Sequence, residues 1–382
     1  MKKKIIQVLP ALNVGGAETL VKEYLLHFDP SVCDAQALIL GARNHSVIEK
    51  ALAEHNVKTT YLPELYHVSH KLPRICRRFL VAYRWRNALK KYFKKEKPDI
   101  LHCHLSVANK IIAAKSCLKR TKLFYTVHSD PDKYWGGGNE KAEQKAIRYF
   151  VRKNGMHMFA LNKESAVKLK QYFGSQCSIS LLNNGIDFEK YRLPQGIKND
   201  LKKNLGLPEE SFIVGHVGRF FEPKNHDFII DVFHAICQKQ ENAFLLLVGD
   251  GKLMKKTEEK VKALNLSHKV LFLGNRSDVN KILSVFDVFL FPSLWEGFPI
   301  TLIEAQAAKL PCFVSDTVNH EVKLTNLVTF ISLEQNAEEW ATKILTHENQ
   351  KYVDSCLSQY DITCVMKILL EIYGVTEKQD FT

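Results

Sequence analysis

Phe286-Asp-Val-Phe-Leu-Phe-Pro-Ser-Leu-Trp-Glu-Gly-Phe-Pro-Ile-Thr-Leu-Ile-Glu-Ala305 sets out a strand, a loop and a helix start in one stretch. The unbroken apolar run ending at Phe291 has the pattern of a parallel strand buried on both faces. Pro299 suits a first helical turn, where its missing N–H costs nothing. A strand feeding a loop and then a helix is half of a β-α-β unit, and its repetition specifies an α/β fold.

The same grammar extends to both sides. Upstream, Phe212–Val217 reads as a strand, and a helix follows from Asn225, expected as N-cap, to Lys239, with Phe228, Val232 and Ile236 on one face. Strands at Phe244–Val248 and Val270–Leu273 alternate with helices at Met254–Leu264 and Val279–Val285, and Cys312–Val314 follows the helix Pro299–Ala308. The amino-terminal half repeats the pattern: strands at Lys4–Leu9 and Gln36–Leu40, helices at Ala17–His27 and Ile48–His55, and short apolar runs at Asp99–His102 and Lys122–Val127. Two doubly wound sheets are expected. Turn-forming residues at Asn183-Asn-Gly-Ile-Asp187 and Arg192-Leu-Pro-Gln-Gly196 separate them, giving domains at 1–187 and 188–360. A last helix, Asp361–Tyr373 within the segment 361–382, is expected to return to the first domain, with a frayed tail after Gly374.

The bulk properties agree with this plan. A chain of 382 residues has room for two cores, and 46% hydrophobic with 25% charged residues is globular composition. The longest apolar runs fall far short of the ~20 residues that span a bilayer. The basic start Met1-Lys-Lys-Lys resembles the head of a signal peptide, but Gln7, Pro10 and Asn13 break the apolar stretch behind it, so a buried first strand is expected. Nine scattered cysteines without a Cys-x-x-Cys pair fit reduced thiols in a cytoplasm.

Charge is concentrated in one segment. Between Lys71 and Lys97 eleven basic side chains, among them Arg77, Arg78, Lys90, Lys91, Lys94 and Lys95, stand against the single acid Glu96, a net +10 of the chain's +13. Pro73 and Pro98 bracket the segment, and Ile75, Phe79, Ala82, Leu89 and Phe93 recur near helical spacing. It reads as a basic amphipathic helix, suited to an anionic membrane surface or to an ordinary solvated face. No nucleic-acid motif accompanies it.

In open α/β sheets ligands lie at the carboxyl ends of the strands. The first exit, Asn13-Val-Gly15-Gly16-Ala-Glu18, lets backbone N–H groups approach an anion at a helix start. Thr126-Val-His128-Ser129 carries a histidine out of another strand; His102 and His104 around Cys103 have too few partners for a zinc site. Asp130-Pro-Asp132 reads as turn chemistry and Gly136-Gly137-Gly138 as a flexible connection. Gly218-Arg219 with Lys224 five residues on puts two cations at one exit, enough to neutralise a diphosphate. In the opening stretch, Glu296 sits in the loop, the N–H groups of Ile300 and Thr301 start a helix, and Glu304 lies a turn further in.

Glu296-x7-Glu304 in its Glu-Gly-Phe-Pro setting, with Gly15-Gly16-Ala17-Glu18, Val127-His128-Ser129, Asn184-Gly185-Ile186-Asp187, Gly218-Arg219-x4-Lys224 and Val248-Gly249-Asp250-Gly251, resembles the family 4 retaining glycosyltransferases of the type B fold, in their bacterial capsule and exopolysaccharide branch. The resemblance covers residues 4 to 373. It implies two Rossmann-like domains facing a cleft, with a UDP- or GDP-linked sugar held mainly by the second. Arg219 and Lys224 would bind the diphosphate, helped by Gly15 and Gly16 and by the turn Gly297, Phe298, Pro299, Ile300 and Thr301. Glu304 would bind the ribose, and the backbone of Asn275 and Arg276 would border the base. Glu296 would meet the sugar hydroxyls and His128 the anomeric centre. No metal or other cofactor is implied.

The expected activity is transfer of a hexose or a derivative to a saccharide, expected to be lipid-linked, at the inner face of the cell membrane. A nucleotide-sugar epimerase, a phosphorylase or a noncatalytic sugar-nucleotide-binding subunit would share the architecture. The Glu-x7-Glu stretch speaks against the epimerase, and the full set of site residues against a silent subunit.

Overall fold

The computed structural model describes residues 2–67, 74–135, 141–194, 196–348 and 351–375, with residues 74–78 described in backbone only. Lys71, Gly136, Gly137, Gly138 and the tail after Val375 therefore lie outside the described residues, as do the side chains of Arg74, Ile75, Cys76, Arg77 and Arg78. The chain divides into two compact units, residues 1–185 with 362–382, and residues 186–361.

The first unit alternates strands and helices: β1 (Lys3–Leu9), α1 (Gly16–His27), β2 (Cys33–Ile39), α2 (Val47–Glu54), β3 (Thr59–Tyr61), α3 (Arg74–Glu96), β4 (Ile100–His104), α4 (Ala108–Ile111), β5 (Lys122–Thr126), α5 (Pro131–Trp135), α6 (Lys141–Asn154), β6 (His157–Ala160), α7 (Lys163–Phe173) and β7 (Ile179–Leu181). Its sheet has the order β3-β2-β1-β4-β5-β6-β7, with every pair parallel. β1 lies inside that sheet with Ile5, Ile6, Val8 and Leu9 fully buried, so the segment after the basic start is a core strand.

The second unit contains α8 (Ile197–Asn204), β8 (Phe212–Val217), α9 (His226–Cys237), β9 (Ala243–Val248), α10 (Met254–Ala263), β10 (Val270–Phe272), α11 (Val279–Leu283), β11 (Val288–Phe291), α12 (Ile300–Ala307), β12 (Cys312–Ser315), β13 (Val328–Ile331) and α13 (Ala337–Leu345). The strand order is β10-β9-β8-β11-β12-β13, again all parallel. The sequence reading ends this series at Val314; β13 and α13 extend it. The final helix, α14 (Ile362–Tyr373), belongs to the first unit and packs beside α1.

One face of the first sheet is conventional core. Ile6, Val8, Leu101, Cys103, Tyr125 and Met158 pack there in one apolar cluster with Leu89, Phe93, Ile147 and Phe150 from the covering helices. The opposite face, under α14, carries a polar row through its centre: Gln7, His102, His104 and Thr126 are each at most 1% exposed.

α3 departs from the expected face. Ala88, Leu89, Tyr92 and Phe93 are buried, but Phe79 is 74% exposed and Ala82 is exposed as well. A helix of twenty-three residues is about 34 Å long. The strands of its sheet have at most seven residues, roughly 24 Å. Among the described side chains of α3, the buried apolar ones lie in its carboxyl-terminal part. Its one acid, Glu96, is buried between Lys4 at 2.8 Å and Lys58 at 3.2 Å, so every other charged residue of the helix is basic. None of the described helices is long and apolar enough to cross a membrane, and the eight described cysteines are free thiols.

Candidate active site

In the second unit the carboxyl ends of neighbouring strands are stitched into one rim. After β8, Gly218 N–H donates to the Val248 carbonyl at 2.9 Å, and after β9, Gly249 N–H donates to the Gly274 carbonyl at 2.8 Å. Phe220 N–H reaches the Asp250 carbonyl at 3.0 Å, and Leu294 N–H after β11 reaches the Pro223 carbonyl at 2.8 Å. The hydroxyls of Ser315, the last residue of β12, and of Thr317 just beyond it, the latter at 2.9 Å, donate to the Ser293 carbonyl. Gly249 sits at φ +132°, where a Cβ would stand 2.2 Å from the Gly218 carbonyl oxygen, so only glycine fits this crossing.

The rim holds the loop of Glu296 against Lys224. Lys224 Nζ donates to Glu296 Oε1 at 2.6 Å, with side chains 18% and 13% exposed, and the ammonium also lies 4.7 Å from the centre of the Phe291 ring. Arg219 is exposed at the same strand end, its guanidinium 5.2 Å over the Phe221 ring. Asn225 does start α9, but at φ +53° its side chain makes no cap; its amide instead donates to the Pro292 carbonyl at 3.1 Å. The residue read as a helix cap is thus a tie between two site loops. Pro299 is the N-cap of α12, one position earlier than expected, and supplies no side-chain cap to the first turn. The Thr301 and Ser293 hydroxyl oxygens and His216 Nε2 are buried without a hydrogen-bond partner at this rim. Burial first, then His226 and Lys224, hold His216 well below the ordinary imidazole range.

Of the other expected donor contacts, Asn275 is exposed beyond β10, and Arg276 is clamped by both oxygens of Asp278 at 2.8 and 2.7 Å. Gly297 and Phe298 lie in the loop before α12, and Phe298 stacks on Tyr360 at 5.5 Å. Glu304 lies half-buried on α12 and Ile300 is buried in its first turn.

In the first unit, Gly15 is the N-cap of α1 and Gly16 its first residue. His128 is half-buried two residues past β5, with Nε2 at 2.9 Å from His104 Nδ1, and burial pushes its pKa down to about 3. It is a neutral imidazole at physiological pH. Asp130 makes the expected turn bonds to the N–H groups of Asp132 and Lys133 at 2.9 and 3.1 Å, with Lys168 at 2.6 Å. Further out, Ala82, Trp85 and Ile112 together with Arg86, Lys90 and Lys110 line an open groove of about 550 Å³ beside α3. Lys91, Lys94 and Lys95 are exposed on the same helix.

Sequence reasoning passed over Gln7 and Tyr373. Gln7 interrupts an apolar strand, which was the available signal; Tyr373 gave none.

Comparison with known proteins follows the same division. Residues 14–190 match the profile described as Glycosyltransferase Family 4, and residues 197–364 match that of Glycosyl transferases group 1. A Bacillus subtilis (strain 168) protein assigned as a glycosyltransferase, EpsF, is 29% identical over 99% of this chain and 98% of its own length. An Escherichia coli UDP-Gal:alpha-D-GlcNAc-diphosphoundecaprenol alpha-1,3-galactosyltransferase is 33% identical over 64% of this chain and 65% of its own length. Among solved structures, Anabaena HepE in complex with UDP and glucose superposes with a TM-score of 0.76 at 18% identity, covering 98% of this chain and all of that one.

Proposed function

Because the chain belongs to glycosyltransferase family 4, built as two Rossmann-like domains, we propose that it moves a hexose or hexose derivative from a UDP- or GDP-linked donor to a lipid-linked saccharide, with retention, in bacterial cell-surface polysaccharide biosynthesis. The Lys224–Glu296 pair carries this reading: a cation and a carboxylate held in contact, each with a separate task on a sugar diphosphate. The names of the relatives support it, since the Escherichia coli protein acts on a diphosphoundecaprenol-linked sugar and HepE was solved with UDP and glucose.

In this reading Lys224 turns from Glu296 to the diphosphate, joined by Arg219, and frees Glu296 to accept hydrogen bonds from donor hydroxyls. The first-turn N–H groups at Ile300 and Thr301, with the Thr301 hydroxyl, hold a phosphate oxygen. Glu304 takes the ribose hydroxyls, and Asn275 and Arg276 border the base. For the first unit, the family resemblance assigns Gly15 and Gly16 to the diphosphate and His128 to the anomeric carbon. The bond from that carbon to the phosphate oxygen breaks with its electron pair going to the diphosphate. The acceptor oxygen bonds to the same face of the sugar, and its proton passes to the departing phosphate. Fixed positive charge aimed at the leaving diphosphate lowers this barrier, so the reading needs no resident metal. Glu296 and Glu304 are therefore not the acid and nucleophile of a hydrolase.

The basic face of α3 and the neighbouring groove, with Arg86, Lys90 and Lys110 among apolar side chains, suit an anionic membrane surface and a phosphate-bearing acceptor. This would place the enzyme at the inner face of the membrane. A panel of UDP-, GDP- and ADP-sugars, read by thermal shift and by slow hydrolysis without acceptor, tests the proposal. One nucleotide class should stabilise the protein, by about 2.7 kcal/mol at 100 times its Kd. No shift and no hydrolysis with any donor would overturn it.

A further inference from the structure

The polar row beneath α14 is wired. Gln7 Oε1 lies 2.7 Å from His104 Nε2, and His104 Nδ1 lies 2.9 Å from His128 Nε2. In the other direction Gln7 Nε2 donates to the Tyr373 hydroxyl at 3.3 Å, which sits 2.6 Å from His102 Nδ1, and His102 Nε2 is 2.7 Å from the Thr126 hydroxyl. Strand register makes this possible: Gln7 on β1 pairs with His102 on β4, and His104 pairs with Thr126 on β5, so alternate residues of three parallel strands share one face. Tyr373, the last residue of α14, closes the row from above.

An amide oxygen only accepts and an amide nitrogen only donates. With Oε1 towards His104, the proton of that ring is on Nε2. Burial keeps His104 neutral, so its Nδ1 carries a lone pair and accepts from His128. His128 then bears its proton on Nε2 and presents an unprotonated Nδ1. Towards α14, Tyr373 accepts from Gln7 and donates to His102, which donates to Thr126, so each group in the row is satisfied. Reversing the Gln7 amide would reverse every bond and move the His128 proton to the other nitrogen.

We infer that Gln7, His104 and Tyr373 are positioning residues that fix the tautomer of His128, with Tyr373 making the seating of the C-terminal helix a condition of that setting. The part played by His128 in transfer rests on the function proposed above; its tautomer does not. The test uses the full chain carrying ¹⁵N-labelled histidine, with the His128 signals identified by their loss in His128→Ala. Wild-type protein at neutral pH should show His128 protonated at Nε2 and bare at Nδ1. Tyr373→Phe and Gln7→Leu, which keep the buried volume, should each give a mixture of tautomers, and in transfer assays kcat should fall about tenfold with donor KM unchanged. A loss of packing alone would not redistribute the ring proton. Wild-type His128 protonated at Nδ1, or an unchanged single tautomer in Gln7→Leu, would overturn the inference. If the tautomers behave as expected but no sugar nucleotide is turned over, the proposed function fails and the relay stands.

Discussion

Glu296 and Lys224 each neutralise the other across 2.6 Å. Replacing Glu296 with Ala should lower kcat/KM on the order of 100-fold or more, the scale of losing one preorganised contact to the reacting group. The melting temperature should shift little, because a pair that still reaches solvent contributes modestly to stability. Wild-type turnover in that variant would remove Glu296 from the reaction. Gly249→Ala is expected to act in the opposite way, through stability. At φ +132° and 2.2 Å from a carbonyl oxygen, the added methyl should cost about 1–3 kcal/mol or more in chemical denaturation and loosen the rim.

At the level of elements, α3 invites a charge experiment. Replacing Arg77, Arg78, Lys90, Lys91, Lys94 and Lys95 by Gln should release the protein from anionic vesicles at low salt, since each cation near the headgroups is worth about 1 kcal/mol. Vesicle sedimentation unchanged by all six replacements would set the membrane role aside. The strand-loop-helix units were legible because buried parallel strands read as plain apolar runs, as 288–291 does. β3, β6, β7 and β13 were not: strands of three or four residues leave too little pattern. Phe79 was misplaced because helical periodicity shows which residues share a stripe but not how far the covered core extends. The residues expected at the site came from strand exits and from the family resemblance, and the structure brings Lys224 and Glu296 among them into contact. The task of Asn225 could not be read in this way, since a side chain that ties two loops has the same sequence signature as a cap.

At the level of the whole molecule, His102, His104, His128, His216 and His226 are all held below the ordinary imidazole value, with burial the leading cause in each. The folded chain therefore binds fewer protons than the unfolded one. Stability should be full above the unfolded value near 6.5 and fall as pH drops towards the folded values, about 3 for His128 and His226. Denaturation midpoints measured from pH 7.5 to 4.5 should decline steeply below about pH 6.5. A flat profile would mean that the unfolded chain keeps these rings equally shielded. The partnership of Gln7 with Tyr373, 366 positions apart, is legible only once topology is known.

That same separation bears on biosynthesis. The first unit needs α14, yet residues 186–361 intervene in the chain. On a ribosome adding roughly 5–20 residues per second, those 176 residues take about 10–35 s. Throughout that interval the nascent first sheet waits with its glutamine and histidines uncovered, and the second unit has time to fold first although it is made later. Unit 1 is completed only once α14 has been made, when its last turn lands on a strand made long before it.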